Sequence, residues 1–351
     1  MKADQKAFGI MPSGEKAFAY TLENEAGMQV VITNLGGTIL KICVPDKKGT
    51  MRDVVLGHNS FEDYLTNPYF LGALIGRNSN RIANATIKID GTIYQLDKND
   101  GNHNLHGGPK GLHTRLMNGR LSTDAGHPSL ILSIMIADMD DGLPGNLNIE
   151  VKYTLQNDNT LLIEYFAVSD KTTIINLTNH AYFNVAGHDS GSAYDQVLTL
   201  DSTFYTPNTA DCLPTGEIMH VAGTPFDFRE GKSLREGIYS DDAQIEQFGG
   251  YDHNLLLNGE GFRKVGSAID TDTGHFMEFF TTLPGVQLFT YNGVPEGTKG
   301  KGGIDYNSYQ GYCLESQLVP DAANRPWLRS PIYQANQPFI EKTAYKFGTL
   351  E

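Results

Sequence analysis

Cysteine is scarce in this chain: Cys43, Cys212 and Cys313 are the three in 351 residues, widely spaced and without any CxxC. That pattern encodes neither a disulfide framework nor a thiolate zinc site, and it suits a reducing compartment. Basic residues are outnumbered, 27 Lys+Arg against 41 Asp+Glu, and the formal charge of -14 repels nucleic acid and anionic membrane. A neutral small molecule is the easier partner. No apolar run reaches the roughly 18 residues of a membrane span, and Met1-Lys2-Ala3-Asp4-Gln5-Lys6 lacks the apolar stretch of a secretory signal. The expectation is a soluble cytoplasmic protein. Internal repeats, low-complexity segments and Pro/Ser-rich linkers are also missing, so residues 1–351 are expected to form one domain.

Helical patterning is the last thing in short supply. Residues 61–65 and the acidic stretch 233–248 read as briefly helical, and 38 glycines punctuate β-branched and aromatic runs elsewhere. Between 147 and 155 the alternation is strict: Leu147, Ile149, Val151, Tyr153 and Leu155 face one way, Asn148, Glu150, Lys152 and Thr154 the other. A turn at Asn157-Asp158-Asn159 returns the chain through 161–168 as an antiparallel hairpin. The same device recurs at 85–96, turning at Asp90-Gly91, and at 265–282, turning through 270–274. The fold class is therefore all-β, with antiparallel sheets packed face to face and a cleft lined by strand ends and loops.

Chemistry-bearing residues concentrate in a few polar segments. Thr178-Asn179-His180-Ala181-Tyr182-Phe183-Asn184 sets an imidazole among amides and aromatic rings after an apolar run. His180 suits proton transfer near neutrality, the amides could orient it, and Tyr182 and Phe183 could offer a flat face to a sugar ring. A lone histidine here serves equally well as a hydrogen-bonded core residue. Gly76-Arg77-Asn78-Ser79-Asn80-Arg81-Ile82 collects donors suited to vicinal hydroxyls, with Arg77 expected to pair with a structural carboxylate. Asn104-Leu105-His106-Gly107-Gly108 places an imidazole beside a turn that allows close approach of ligand and backbone. The spacing of His103, His106 and His113 matches no zinc signature, so no metal is expected; His103 reads as structural. Asp252, after two glycines, suits either a sugar hydroxyl or an Asx turn, and Gln287 follows Pro284-Gly285-Val286 at the start of an apolar strand. Glu315 is one acid in the run Tyr312-Cys313-Leu314-Glu315, where burial would raise its pKa toward that of a working base.

Together these segments resemble the galactose mutarotase (aldose 1-epimerase) family. The motifs are GRNSNRI at 76–82, NLHGG at 104–108, TNHAYFN at 178–184, PTGE at 214–217, GTPFDFR at 223–229, YDHN at 251–254, PGVQ at 284–287 and LESQLVPDAAN at 314–324. The resemblance runs from about residue 36 to 347 and implies a large antiparallel β-supersandwich. It implies Glu315 as general base and His180 as general acid, with His106 beside them at the ring. Asn80, Arg81, Tyr182, Asp252 and Gln287 fall to sugar binding. The implied activity interconverts the α and β anomers of free hexoses such as galactose and glucose without cofactor or metal, by a monomer or a homodimer. A hexose-6-phosphate epimerase would need a cationic pocket, and an inactive sugar-binding module would not need both Glu315 and His180. The chain departs from the family pattern at Leu112-His113-Thr114, at Met117 and in the short loop Asp140-Asp141-Gly142-Leu143, which puts the rim of the cleft and the sugar preference in question.

Overall fold

The strict alternation at 147–155 becomes the strand Leu147–Leu155, hydrogen-bonded in register to Thr160–Ser169 through pairs from Leu147↔Ser169 to Leu155↔Leu161. Its apolar positions are all buried while Asn148 and Glu150 are exposed. Thr154 departs from the pattern: it is buried, and its hydroxyl is satisfied by Ser129 Oγ at 3.1 Å. At the second hairpin, Ile89 pairs with Thr92, leaving Asp90 and Gly91 as a two-residue loop, both with positive φ. That is the geometry an Asp-Gly hairpin turn prefers, because its twist matches that of the strands.

The computed structural model describes residues 2–45, 49–295, 297–325 and 328–350. Nine strands make the largest sheet, in the order Asn118–Asp124, His127–Ile136, Leu147–Leu155, Thr160–Ser169, Phe339–Thr349, His275–Thr281, Arg263–Ile269, Val197–Leu200 and Lys232–Ser233. A six-stranded sheet runs Tyr182–Phe183, Tyr312–Gln317, Gly285–Phe289, Asp252–Leu257, Ser202–Thr206 and Met219–His220. The pairings within both are antiparallel. A five-stranded meander over residues 2–53 adds Tyr20, Leu22, Val30 and Ile42 to the same core. The helices Phe61–Thr66, Leu234–Ile238 and Ala243–Phe248 fall in the two segments read as helical; Ser60, Ser233 and Asp242 cap their first turns.

The two larger sheets meet through alternate residues of the smaller one. Tyr312, Leu314, Val286, Leu288 and Leu255 join the core with Tyr345, Phe279 and Ile163. Tyr345 Oη donates to the Leu314 carbonyl at 3.2 Å, and its ring lies 4.7 Å from that of Phe183. Phe183 is therefore a core residue. The expectation that it shares a ligand face with Tyr182 fails because neighbours along a strand point to opposite sides.

Arg77 takes the structural role expected of it. Its Nε donates to Asp141 at 2.8 Å and one terminal nitrogen to the Pro144 carbonyl and Thr173 Oγ1, all inside the protein. Asp141 belongs to the short loop at 140–143, so that departure from the family pattern is occupied in anchoring the chain ahead of Asn80 and Arg81. Arg77→Ala leaves the Asp141 carboxylate buried and unpaired, and urea unfolding is expected to show a loss of roughly 3–5 kcal/mol. The double change Arg77→Met with Asp141→Leu is expected to recover most of it.

Candidate active site

The six-stranded sheet has a second face, turned away from the core. Register places Tyr182, Cys313, Phe289 and Asp252 in one row across four strands, and Glu315, Gln287, Asn254 and Thr206 in the next. Tyr182, Phe289 and Asp252 of the first row and Glu315 and Gln287 of the second floor a cavity of about 300 Å³ whose walls come from Pro68, Tyr69, Phe70, Asn80, Arg81, Asp100, Leu105, His106 and His180. All eight residues expected to act on a ligand line it: Asn80, Arg81, His106, His180, Tyr182, Asp252, Gln287 and Glu315. Asp252 opens the strand Asp252–Leu257 and accepts from Gln287 Nε2 at 2.6 Å, so it is not an Asx turn. Gln287 sits mid-strand rather than at the start. The floor is thus built from strand interiors, while loops supply the walls.

Loop geometry explains the residues around His106. Asn80 and His106 both adopt left-handed φ, and the backbone N–H of Asn80 donates to His106 Nδ1 at 3.2 Å. Gly107 also has positive φ, and a Cβ there would lie 2.2 Å from the Gly76 carbonyl oxygen. Gly107 accordingly serves backbone against backbone, and a Cβ at Gly108 would lie 2.6 Å from the Asn104 side-chain nitrogen, so neither glycine is there for a ligand. His180 is held at a chain corner: its N–H donates to the Ala73 carbonyl at 2.8 Å, and its carbonyl accepts from Gly72 at 3.0 Å. Asn179 spends its amide on backbone groups, Asn184 on backbone groups and the side chains of Ser190 and Gln196, and neither lines the cavity. The ring of His180 is oriented instead by Phe70, stacked at 5.8 Å, by Tyr182 at 5.0 Å, and by Cys313 Sγ, 3.3 Å from Nδ1.

Across from this ring stands Glu315, whose Oε1 is 3.4 Å from His180 Nε2. Burial raises the Glu315 pKa well above the carboxylate range; Asp252 adds to the rise and Arg81 opposes it. Burial lowers His180 to about 3, and lowers His106 well below its usual value, with His180, Arg81 and His113 contributing. Both shifts favour the uncharged forms, so burial favours one proton held between the carboxyl and the imidazole over a salt bridge. Glu315 Oε2 is buried without a hydrogen-bond partner among the described residues, an acceptor awaiting a donor.

His106, His180 and Glu315 bring ligand-type atoms within 4.8 Å of one another. The donor set does not fit a metal well. Because His106 Nδ1 accepts the Asn80 N–H, its proton sits on Nε2, which leaves that atom a donor with no lone pair for a cation. His103 stands apart from this group, its Nδ1 accepting from the Asn84 N–H at 3.0 Å.

The matching family model, described as Aldose 1-epimerase, spans residues 19–346. The chain belongs to the aldose 1-epimerase family. Galactose mutarotase from Bos taurus is 35% identical to it over 97% of both chains, and aldose 1-epimerase from Haemophilus influenzae is 36% identical over 96% of this chain and 97% of its own. Among solved structures, the galactose 1-epimerase of Lactobacillus acidophilus NCFM superposes with a TM-score of 0.88 at 30% identity, covering 100% of this chain and 99% of that one. An aldose epimerase homologue from C. elegans gives 0.86 at 29% identity, covering 94% and 98%. The sheets described here are those of a galactose mutarotase-like fold.

The residue-level departures from the family pattern lie outside the cavity wall: Leu112 and Met117 are buried in the core, and His113 packs against Phe70 at 4.8 Å and acts by charge on His106 and His180. Sequence reasoning missed Phe70, Phe289, Asp100 and Cys313. Phe289 and Cys313 stand two residues from Gln287 and Glu315 on the same strands, a signal that period two would have supplied. Asp100 pairs with Arg81 Nε at 2.6 Å and carried no motif of its own.

Since the Asp252 charge helps to raise the Glu315 pKa, removing it must lower that pKa. In Asp252→Asn, whose amide oxygen still accepts from Gln287, carbon-13 NMR of the Glu315 carboxyl is expected to titrate at lower pH than in the parent protein. An unchanged midpoint would mean that Asp252 is screened from Glu315.

Proposed function

We propose that the protein is an aldose 1-epimerase interconverting the α and β anomers of free hexoses such as galactose and glucose, with Glu315 and His180 as its acid/base pair. The observation that carries this reading is the meeting of one carboxyl and one imidazole, 3.4 Å apart and both buried, where floor and wall of a sugar-sized cavity join. Mutarotation needs one group to take the proton of the O1 hydroxyl and another to protonate the ring oxygen O5. A pair holding a single proton between a base and an acid meets that demand.

With sugar bound, the carboxyl passes its proton to His180 Nε2, helped by the Arg81 charge, which favours the carboxylate. Glu315 takes the O1 proton as C1=O1 forms; the C1–O5 bond breaks and O5 receives the proton from His180. Rotation about C1–C2 presents the other face of the carbonyl, and the two transfers run in reverse. His106, fixed as an Nε2–H donor, hydrogen-bonds an oxygen of the ring as charge develops. Asn80, Arg81, Asp252 and Gln287 hold hydroxyls, and the Tyr182 ring, anchored by its hydroxyl on the Tyr69 carbonyl at 2.8 Å, lies against the sugar. Every proton is returned, so the cycle consumes no cofactor.

A phosphosugar fits this cleft poorly. The cation of its wall, Arg81, is already paired with Asp100 and faces the Asp252 charge, which leaves no free positive charge among the described lining residues for a phosphate dianion. An inactive sugar-binding module would carry the desolvation of Glu315 without return. The chain is further read as one domain over residues 1–351, acting in the cytoplasm, where the free cysteines Cys43, Cys212 and Cys313 would stay reduced. No helix among the described residues is long and apolar enough to cross a membrane. It is read as a monomer or a homodimer, two states that sedimentation distinguishes.

Polarimetry on freshly dissolved α-D-galactose is expected to show faster decay to the same final rotation when the protein is added, and turnover of glucose well above that of glucose 6-phosphate. An unchanged decay with every aldose tried would overturn the reading. Glu315→Gln and His180→Asn are each expected to lower kcat by roughly a hundred- to ten-thousand-fold, with circular dichroism unchanged. Asp252→Asn is expected to raise KM more than it lowers kcat, because its contacts lie away from the reacting centre.

A further inference from the structure

Cys313 is fully buried, packed with Tyr182 and Phe289 beneath the cavity surface, and neither the proton transfers nor the contacts to hydroxyls use it. Its register partners are Tyr182 on one side and Phe289 on the other, and it precedes Glu315 by two residues on the same face. One strand therefore carries the carboxyl that faces Nε2 of His180 and the sulfur that lies 3.3 Å from Nδ1. We propose that Cys313 is the positioning residue of His180: its sulfur accepts a hydrogen bond from Nδ1–H and keeps the Nε2 lone pair turned toward Glu315 and the cavity. This assignment rests on His180 being the acid of the epimerase reading.

The direction of the bond follows from what stands on the other side of the ring. Were the thiol to donate to Nδ1, the imidazole proton would sit on Nε2, and that atom, 3.4 Å from Glu315 Oε1, would have no lone pair to take up the carboxyl proton in the proposed cycle. With the proton on Nδ1, the carboxyl donates toward Nε2 and the sulfur accepts behind it. Phe70 and Tyr182 cover the ring faces, while the His106 edge and, farther out, His113 complete the surroundings. Arg81 and Asp252 act on Glu315 from the opposite wall.

A thiol is suited to this place by its weakness. Burial pushes the Cys313 pKa well above its usual value, so the group stays neutral. A neutral sulfur accepts poorly and orients the ring without stabilising the imidazolium. A carboxylate in its place would hold the second proton on His180 and make it a weak acid toward O5. Throughout the cycle the Nδ1 proton stays where it is, and Nε2 alone exchanges protons.

Nitrogen-15 NMR of histidine-labelled protein reads the tautomer directly, whether or not the protein turns over sugar. His180 in the parent protein is expected to carry its proton on Nδ1. In Cys313→Ala the population is expected to shift toward Nε2–H, with kcat down roughly 5- to 10-fold and KM unchanged, the loss of one modest hydrogen bond. Cys313→Ser, which restores an acceptor, is expected to return the Nδ1–H tautomer and most of the rate. An Nε2–H tautomer in the parent protein, or a Cys313→Ala variant with parental tautomer and kcat, would overturn the assignment. Parent protein that holds the Nδ1–H tautomer but fails to speed galactose mutarotation would instead count against the epimerase reading.

Discussion

The two-residue period of the β-strand governs this molecule more than any single contact. In the strand Tyr312–Gln317, Tyr312 and Leu314 fill the core between the sheets, and the residues alternating with them turn toward the site, Glu315 lining the cavity and Cys313 lying behind the His180 ring. The neighbouring strands obey the same rule, with Val286 and Leu288 inward against Gln287 and Phe289 outward. Hydrogen-bond register then aligns the outward residues into rows. A slip of one residue in any of these strands would exchange the polar row with the apolar one, which sets a high penalty on misregister.

Placing a carboxyl and imidazoles on that floor costs desolvation, and the cost is put to use. Burial shifts Glu315 upward and His180 downward until their preferences cross, so that one proton is held jointly by two groups of unlike chemistry. Asp252 and Arg81 act on Glu315 with opposite signs from the same wall. The balance of the site is therefore distributed over four side chains, and the walls are held in turn by pairs such as Arg77 with Asp141, away from the cavity.

Much of this was legible in the sequence, for identifiable reasons. Alternation at 147–155 and the Asp90-Gly91 turn are local signals, and the antiparallel hairpins followed from them. The eight ligand-facing residues were reached because their motifs occur in the order of a known family; taken alone, His180 in an apolar run is indistinguishable from a core histidine. What escaped was information held between strands. That Phe183 packs on Tyr345, that Asp252 lies in a strand beside Gln287, and that Asn179 braces backbone rather than ring are facts of register and corner geometry, which no single stretch of the chain records. Phe70 escaped for a similar reason, since its place over His180 depends on a left-handed backbone at a loop tip.

The burial of the strand Tyr312–Gln317 on both faces bears on how the protein fails. Its residues are all buried, so a local opening that frees Glu315 must also expose Leu314 and part the sheets. The reacting groups have no private melting mode. Loops remote from the cavity can loosen with heat while Glu315 stays in place, and freeing Glu315 itself takes the sheets apart.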